Sequence, residues 1–211
     1  MGKNLDPKCK QCRRIGEKLM LKGERCSSTK CAMVKKSYIP GFHGPKRRGM
    51  ARKSDYGLQL TEKQKARKQY GLMEKQFKLT FDRASKKTGD IGENLLRLLE
   101  LRLDNVIFKL GFADSRSEAR QLVNHGHFEV NDKKVSIPSF QVKEGDTIQI
   151  KKKSKTGKRF KNIGEKLKKV EAPGWLSLDK KEFSAKILHE PRSKDLEFNI
   201  NTQMIVEFYS K

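Results

Sequence analysis

The sequence predicts an α+β chain. It has a helical, strongly basic first part that opens on a cysteine cluster, a compact module of two helices and three short strands, and a short mixed C-terminal region. Three observations predict this. All the cysteines, four of them, fall within the first 31 residues. Residues 93–150 carry helix caps and then short alternating stretches bounded by turn residues. Charge is uneven: residues 1–92 hold 25 Lys+Arg against 8 Asp+Glu, residues 93–153 hold 11 against 9, and residues 154–211 hold 13 against 8. These shifts divide the chain into regions 1–92, 93–153 and 154–211.

The cysteines run Cys9-x2-Cys12, thirteen intervening residues, then Cys26-x4-Cys31. Each pair forms a knuckle whose two thiolates reach one ion, and together they supply four soft ligands for a tetrahedral metal. Two disulfides or four buried thiols are the alternatives, and disulfides are disfavoured in a basic chain without a secretion signal. Zinc suits the set, and an iron–sulfur cluster takes the same four ligands. Four protein ligands leave no open coordination position, so the expected site is structural. Residues 1–31 have few large apolar side chains, so metal binding is expected to organise the segment.

Tyr38-Ile39-Pro40-Gly41-Phe42-His43-Gly44-Pro45 is too rich in Gly and Pro for regular structure, and it leads into Lys46, Arg47, Arg48, Arg52 and Lys53. The aromatic rings and prolines suggest an ordered loop that lays these cations along a phosphate backbone. Leu60–Tyr70, with Thr61 as N-cap, and Met73–Lys87 read as helices. Phe77 and Phe81 would pack inward, with Lys63, Lys65, Arg67 and Lys68 facing out.

Glu93 to Leu110 reads as one leucine-rich helix, with more leucine than a single buried stripe needs. Gly111-Phe112-Ala113-Asp114 breaks it. Ser115 and Glu118 form a capping box that starts a second helix, whose apolar face is Ala119, Leu122 and Val123 and which ends at Gly126. Arg116, Arg120, Gln121 and Asn124 lie beside or opposite that face. A helix N-terminus beside two arginines suits phosphate: amides attract the anion and guanidiniums grip it in a fork. Phe128–Val130, Lys134–Ile137 and Thr147–Ile150 follow as strands, with turns at Asn131-Asp132 and Glu144-Gly145-Asp146. Beyond them, Lys151–Lys169 reads as a lysine-rich loop and helix, and Gly174–Asp179 and Phe183–Leu188 as strands. Asn201 caps a closing segment over 202–209 whose β-branched pair also fits a strand.

A net charge of +24 over 211 residues points to a polyanion partner. Because the module is nearly neutral, bulk attraction must come from the first ninety residues, with the module supplying shape and local contacts. No stretch approaches the ~20 apolar residues that span a bilayer. Met1 to Pro7 has no apolar signal core, and Asp6 stands where a myristoylation signal needs Ser or Thr. A cytoplasmic protein without a membrane partner or small-molecule substrate is expected.

Arg102-Leu103-Asp104, Ser115 to Val123, His125-Gly126-His127, Val130 to Val135, Ile137-Pro138-Ser139 and Gly145-Asp146 closely resemble the RNA-binding module named after ribosomal protein S-four. The likeness extends nearly end to end, through the cysteine pattern, Pro40-Gly41-Phe42-His43-Gly44, Ser54-Asp55-Tyr56-Gly57, Glu74-Lys75-Gln76-Phe77, Trp175 to Asp179 and Val206 to Tyr209. Over this span the chain resembles the bacterial-type ribosomal protein S-four family. The resemblance implies a structural constituent of the small ribosomal subunit that binds 16S-type ribosomal RNA first and nucleates assembly. It also implies contact with protein S-five and other small-subunit proteins, a place where mRNA enters, and influence on decoding accuracy. It implies RNA contact through Lys46, Arg47, Arg48, Arg52, Lys53, Arg102, Arg116, Arg120, Gln121, His125 and His127. His43 occupies a family histidine position and is as readily structural as RNA-contacting. Many relatives have lost the cysteines, and this chain keeps all four, which supports a bound metal, one structural zinc ion being favoured over an iron–sulfur cluster.

The same module is appended to pseudouridine synthases and some tRNA synthetases, and Arg102-Leu103-Asp104 mimics the synthases' catalytic triplet. Here it lies inside the module's own helix, where Asp104 is expected to pair with a nearby arginine, and no other segment is large enough for such a catalytic domain. Gly-rich phosphate loops, nucleophile elbows and ligand-spaced histidines are also absent from the sequence. An RNA-modification enzyme is therefore not expected. A stand-alone RNA-binding chaperone would need neither the cysteine segment nor the Trp175–Phe208 region.

Overall fold

The computed structural model describes residues 4–42, 44, 54–157, 159–161, 163–168, 170–196 and 199–210. Helices α1 (Lys8–Ile15), α2 (Glu24–Ser27), α3 (Ala32–Lys35), α4 (Asp55–Gln69), α5 (Glu74–Ala84), α6 (Ile91–Glu100), α7 (Leu103–Lys109) and α8 (Arg116–Asn124) come first. They are followed by strands β1 (Phe128–Val130), β2 (Lys133–Lys134) and β3 (Thr147–Ile150), then α9 (Lys152–Lys155) and α10 (Ile163–Lys168). Strands β4 (Leu176–Asp179) and β5 (Ser184–Ile187) and helix α11 (Thr202–Tyr209) complete the chain. The fold is α+β, as the sequence predicts. It divides into two compact units, residues 1–95 with 197–211, and residues 96–196, so α6 runs through the division.

In the first unit α1 packs against α3 and α4, and α11 lies along α4. Helix α4 begins earlier than expected. Its N-cap is Ser54, whose hydroxyl accepts from Gly57 N–H, while Thr61 sits mid-helix and donates to Gly57 C=O. Phe77 and Phe81 are buried as expected, and Tyr209 of α11 stacks on Phe81 with ring centroids 4.6 Å apart. Lys63 and Lys65 do not face out. Both are 4% exposed, because each has a carboxylate to pair with: Lys63 Nζ lies 2.7 Å from Glu74 Oε1, and Lys65 Nζ 2.8 Å from Glu17 Oε2. Lys63 also sits 4.6 Å over the Phe208 ring. Tyr209 donates its hydroxyl to the same Glu74 oxygen at 2.9 Å, and burial followed by that carboxylate pushes its phenol well above the ordinary range. The closing segment is a helix, capped by Asn201 Oδ1 accepting from Met204 N–H.

The second unit is built on one antiparallel sheet of order β2-β1-β3-β5-β4. The three strands expected of the module are thus part of a larger sheet that the last two strands extend. Register puts Phe128 opposite Ile150, Val130 opposite Ile148, and Ile148 opposite Ala185, all buried on one face. That face packs against Val106 and Ile107 of α7, Leu110 just after it, and Ala119 and Val123 of α8, with Trp175 fully buried in the same core. Asn131 and Asp132 both take positive φ, 49° and 61°, which gives the tight two-residue turn between β1 and β2. Strand β2 ends at Lys134, short of the expected Ile137, because the chain turns away so that Pro138 C=O can accept from Asp104 N–H.

The leucine-rich stretch forms two helices, α6 and α7, and not one. Leu101 and Arg102 leave the helical path because the chain there pairs with an extended segment. Arg102 bridges Gln141, Leu103 N–H donates to Phe140 C=O, and Leu101 C=O accepts from Val142 N–H. The backbone bonds lost to the break are replaced by these.

Candidate nucleic-acid interface

Helix α8 starts where the capping residues put it. Ser115 Oγ accepts from Glu118 N–H, and the Glu118 carboxylate accepts from Asp114 N–H at 2.9 Å. Glu118 also pairs with Arg159. The end of α8 is therefore occupied by its own cap and a carboxylate, and it is not a vacant anion site as the sequence suggested. Beside this helix stand the side chains expected to contact RNA.

Those side chains are held by two polar clamps on α7. Arg102 grips Asp104 with two prongs, Nε to Oδ1 at 3.1 Å and Nη2 to Oδ2 at 2.8 Å, and Arg120 Nη1 reaches the same Oδ2 at 3.4 Å. Burial, followed by the Arg102 charge, lowers the Arg120 guanidinium below its usual range against the pull of Asp104. In the second clamp, Asn105 donates to Glu100 Oε2 at 2.7 Å and accepts from Arg116 Nε at 2.8 Å. The Arg116 guanidinium lies 4.8 Å over the Phe108 ring.

Glu100, Arg102, Asp104 and Asn105 are each 4% exposed or less. Arg102 therefore departs from the expected RNA contact. Its guanidinium is buried on Asp104, where it fixes the carboxylate that in turn holds Arg120. The sequence expectation that Asp104 pairs with a nearby arginine is met twice over. Arg116 and Arg120 are half-buried, and Gln121 and His125 are exposed.

His127 is half-buried, its Nδ1 3.0 Å from Ser154 Oγ and its ring edge-on to Phe160 at 5.6 Å. Burial, then His125 nearby, holds it below the ordinary histidine value. Its C=O accepts from Lys151 N–H, which brings the exposed Lys152 and Lys153 of α9 to the same edge. The basic loop residues Lys46, Arg47, Arg48, Arg52 and Lys53, and His43, lie outside the described residues.

Of the cysteines, Cys12, Cys26 and Cys31 are buried and Cys9 is half-buried. Burial raises the Cys12 thiol above its ordinary value, the Leu19 amide opposes this, and Cys26, Cys9 and Cys31 add to it. Lys22 N–H donates to Cys26 Sγ at 3.3 Å. Cys12 thus lies within electrostatic reach of the other three cysteines. Among the described residues, however, no three Cys, His, Asp or Glu side chains stand together in ligating geometry.

Sequence reading missed Asn105, which accepts from Arg116 while donating to Glu100, and Phe108, whose ring lies under the Arg116 guanidinium. It also missed the cations Lys10 and Arg14 on α1, which converge with Arg67 and Lys68 on α4 around one cavity. The Lys68 ammonium is lowered first by burial and then by Arg67 and Arg14. Spacings of four residues in α1 and of three and four after Gln64 in α4 were the available signal.

A Ribosomal protein S4/S9 N-terminal domain matches residues 3–100, and an S4 domain matches residues 101–148. The chain is 51% identical over 211 residues to "Small ribosomal subunit protein uS4" of Heliobacterium modesticaldum, covering all of both chains. It is 52% identical over 203 residues to "Small ribosomal subunit protein uS4A" of Clostridium perfringens, covering 96% of each. It is 50% identical over 211 residues to the uS4 of Caldicellulosiruptor saccharolyticus, again over the full length of both. With about half of its residues identical to such proteins from end to end, the chain belongs to the uS4 family of small ribosomal subunit proteins.

Proposed function

We propose that this chain is a structural, non-enzymatic constituent of the cytoplasmic small ribosomal subunit that binds its ribosomal RNA directly. The observation that carries the reading is the end-to-end match to small ribosomal subunit proteins. That match includes the first hundred residues as well as the module, which a stand-alone chaperone would not require. The net charge of +24 supplies the attraction. On this reading the rim of α8, with Arg116, Arg120, Gln121, His125 and His127, meets RNA shape locally, and the loop cations Lys46, Arg47, Arg48, Arg52 and Lys53 lie along its backbone. Arg102 acts from below through Asp104. Early binding to 16S-type RNA that nucleates assembly, contact with protein S-five, a place where mRNA enters and an effect on decoding accuracy complete the proposal.

For the cysteine segment we propose one structural zinc ion, or an iron–sulfur cluster, held by Cys9, Cys12, Cys26 and Cys31. Three of these sulfurs are buried, backbone amides of Leu19 and Lys22 serve Cys12 and Cys26, and soft thiolates are the donors such a metal prefers. When bound, the metal would cross-link the segment in place of an apolar core.

Salt dependence of binding to small-subunit RNA tests the division of labour. Removing Arg47, Arg48, Arg52 and Lys53 together is expected to flatten the slope by several units, at ~0.7–0.9 per phosphate contact. An unchanged slope would mean that these cations remain in solvent.

A further inference from the structure

The buried face of α4 is polar. Gln59, Lys63, Lys65 and Gln69 lie on it, with Ala66 the only apolar side chain among its buried residues. A helix without an apolar stripe is held by particular partners for its buried polar groups, not by hydrophobic packing alone. Helix α11 supplies several of these partners. Glu207 Oε2 accepts from Gln59 Nε2 at 2.8 Å, Asn201 N–H just before α11 donates to Glu62 Oε2 at 3.3 Å, and Tyr209 donates to the Glu74 oxygen that pairs with Lys63. Ile205 is fully buried, and Tyr209 lies against Phe81 and Phe77 of α5. At the start of α11, Thr202 meets Gly92 of α6 so closely that a Cβ on Gly92 would stand 2.6 Å from the Thr202 side chain. One helix of eight residues therefore touches α4, α5 and α6.

The three hydrogen bonds join positions 135 to 148 residues apart. Between them in the chain lies the whole sheet unit, residues 96–196, which has its own core. Domains ordinarily close in the order in which they are made. Here the sheet unit is complete before Thr202 is added, whereas the unit that begins the chain is not. Compaction of the intervening residues also lowers the loop-closure cost of bringing α11 back to α4.

We propose that α11 is a latch: the first unit stays open until residues 202–209 dock, and α4, α5 and α11 then close in one cooperative step, after the sheet unit. A chain not yet grown past Tyr209 thus carries a folded sheet unit and an open first unit.

Native-state hydrogen exchange of the full chain in low urea tests the cooperative step without perturbing it. Amides of α4, α5 and α11 are expected to share one opening with one urea dependence, separate from that of β1, β3 and β5. Opening of α11 alone, with α4 and α5 still protected, would overturn the latch, as would a single opening shared with the sheet. Gly92→Val drives a side chain into Thr202 from α6 and leaves every residue of α11 in place. It is expected to speed exchange in α4 and α5 about tenfold and to leave the sheet unit within about twofold. Acceleration confined to α6 and α11 would contradict the proposal. The order of closing is read from the full chain held on its ribosome by a linker after Lys211 and treated with trypsin. A short linker that keeps 202–209 inside the exit tunnel should give cutting in α4 and α5 while the sheet unit resists, and a long linker should protect both. A first unit that resists behind the short linker, or is cut equally behind both, would refute the latch.

Discussion

Arg102 and Asp104 lock together two residues apart in sequence, through bonds of 3.1 and 2.8 Å, with side chains only 5% and 6% exposed. The pair sits at the break between α6 and α7, and Arg120 closes on it from α8. One carboxylate therefore balances two guanidiniums and ties three parts of the module.

Replacing Asp104 with Asn keeps its shape and removes the charge, leaving Arg102 buried without its counter-ion. Breaking a buried pair in this way costs about 3–5 kcal/mol. Urea unfolding followed at Trp175, which is fully buried in the core of the sheet unit, should report a loss of that size. A loss within ~0.5 kcal/mol would show that the pair contributes no more than a surface contact.

Arg116 and Arg120 are expected to act on RNA through geometry more than through charge. Arg116→Lys keeps the cation but loses the Nε bond to Asn105 and the planar contact with Phe108. Affinity for the cognate RNA should fall by roughly 1–3 kcal/mol for either lysine variant. Binding to unrelated RNA, carried by the first ninety residues, should barely change. Parent-like affinity for the cognate RNA would make these arginines generic counter-charges.

The features legible in sequence are those whose cause is local. Ser115 and Glu118 fix the start of α8, Asn131-Asp132 fixes the β1–β2 turn, and Phe77 and Phe81 are buried because their helix has a clear apolar side. The break before Leu103 was not legible. No Gly or Pro interrupts the leucine run there, and the groups that replace the helical bonds come from Pro138, Phe140 and Val142, some forty residues on. The same holds for β5, whose place beside β3 is a long-range pairing that carries β4 with it to the sheet edge. Buried Lys63 and Lys65 were misjudged because their partners, Glu74 and Glu17, lie on other segments. At the interface, the arginines were visible in the sequence but the clamps that aim them were not.

Protein kept reduced throughout purification should contain one zinc or iron centre per chain by elemental analysis. Cys12→Ala should then loosen the first forty residues to protease while the sheet unit stays folded, since that unit has its own core. Metal-free protein with an unchanged digestion pattern would count against a metal at these cysteines.

His127 gives a pH signature. Above its ordinary value of 6.5 the ring is neutral in both folded and unfolded chains and stability does not depend on it. As pH falls below 6.5 the unfolded chain takes up the proton first, because burial holds the folded ring lower. Stability of the sheet unit should decline there and level off once the folded ring is protonated. His127→Gln should flatten that part of the curve, and an unaltered pH profile would assign the decline to other groups.

Sedimentation of the purified chain with small ribosomal subunits through a high-salt gradient tests the central claim most directly. Salt removes proteins held by charge alone and spares those held by shape and buried contacts. The account predicts that the chain stays with the small-subunit peak and is absent from the large one. A chain left at the top of the gradient, or spread evenly over both subunits, would contradict it.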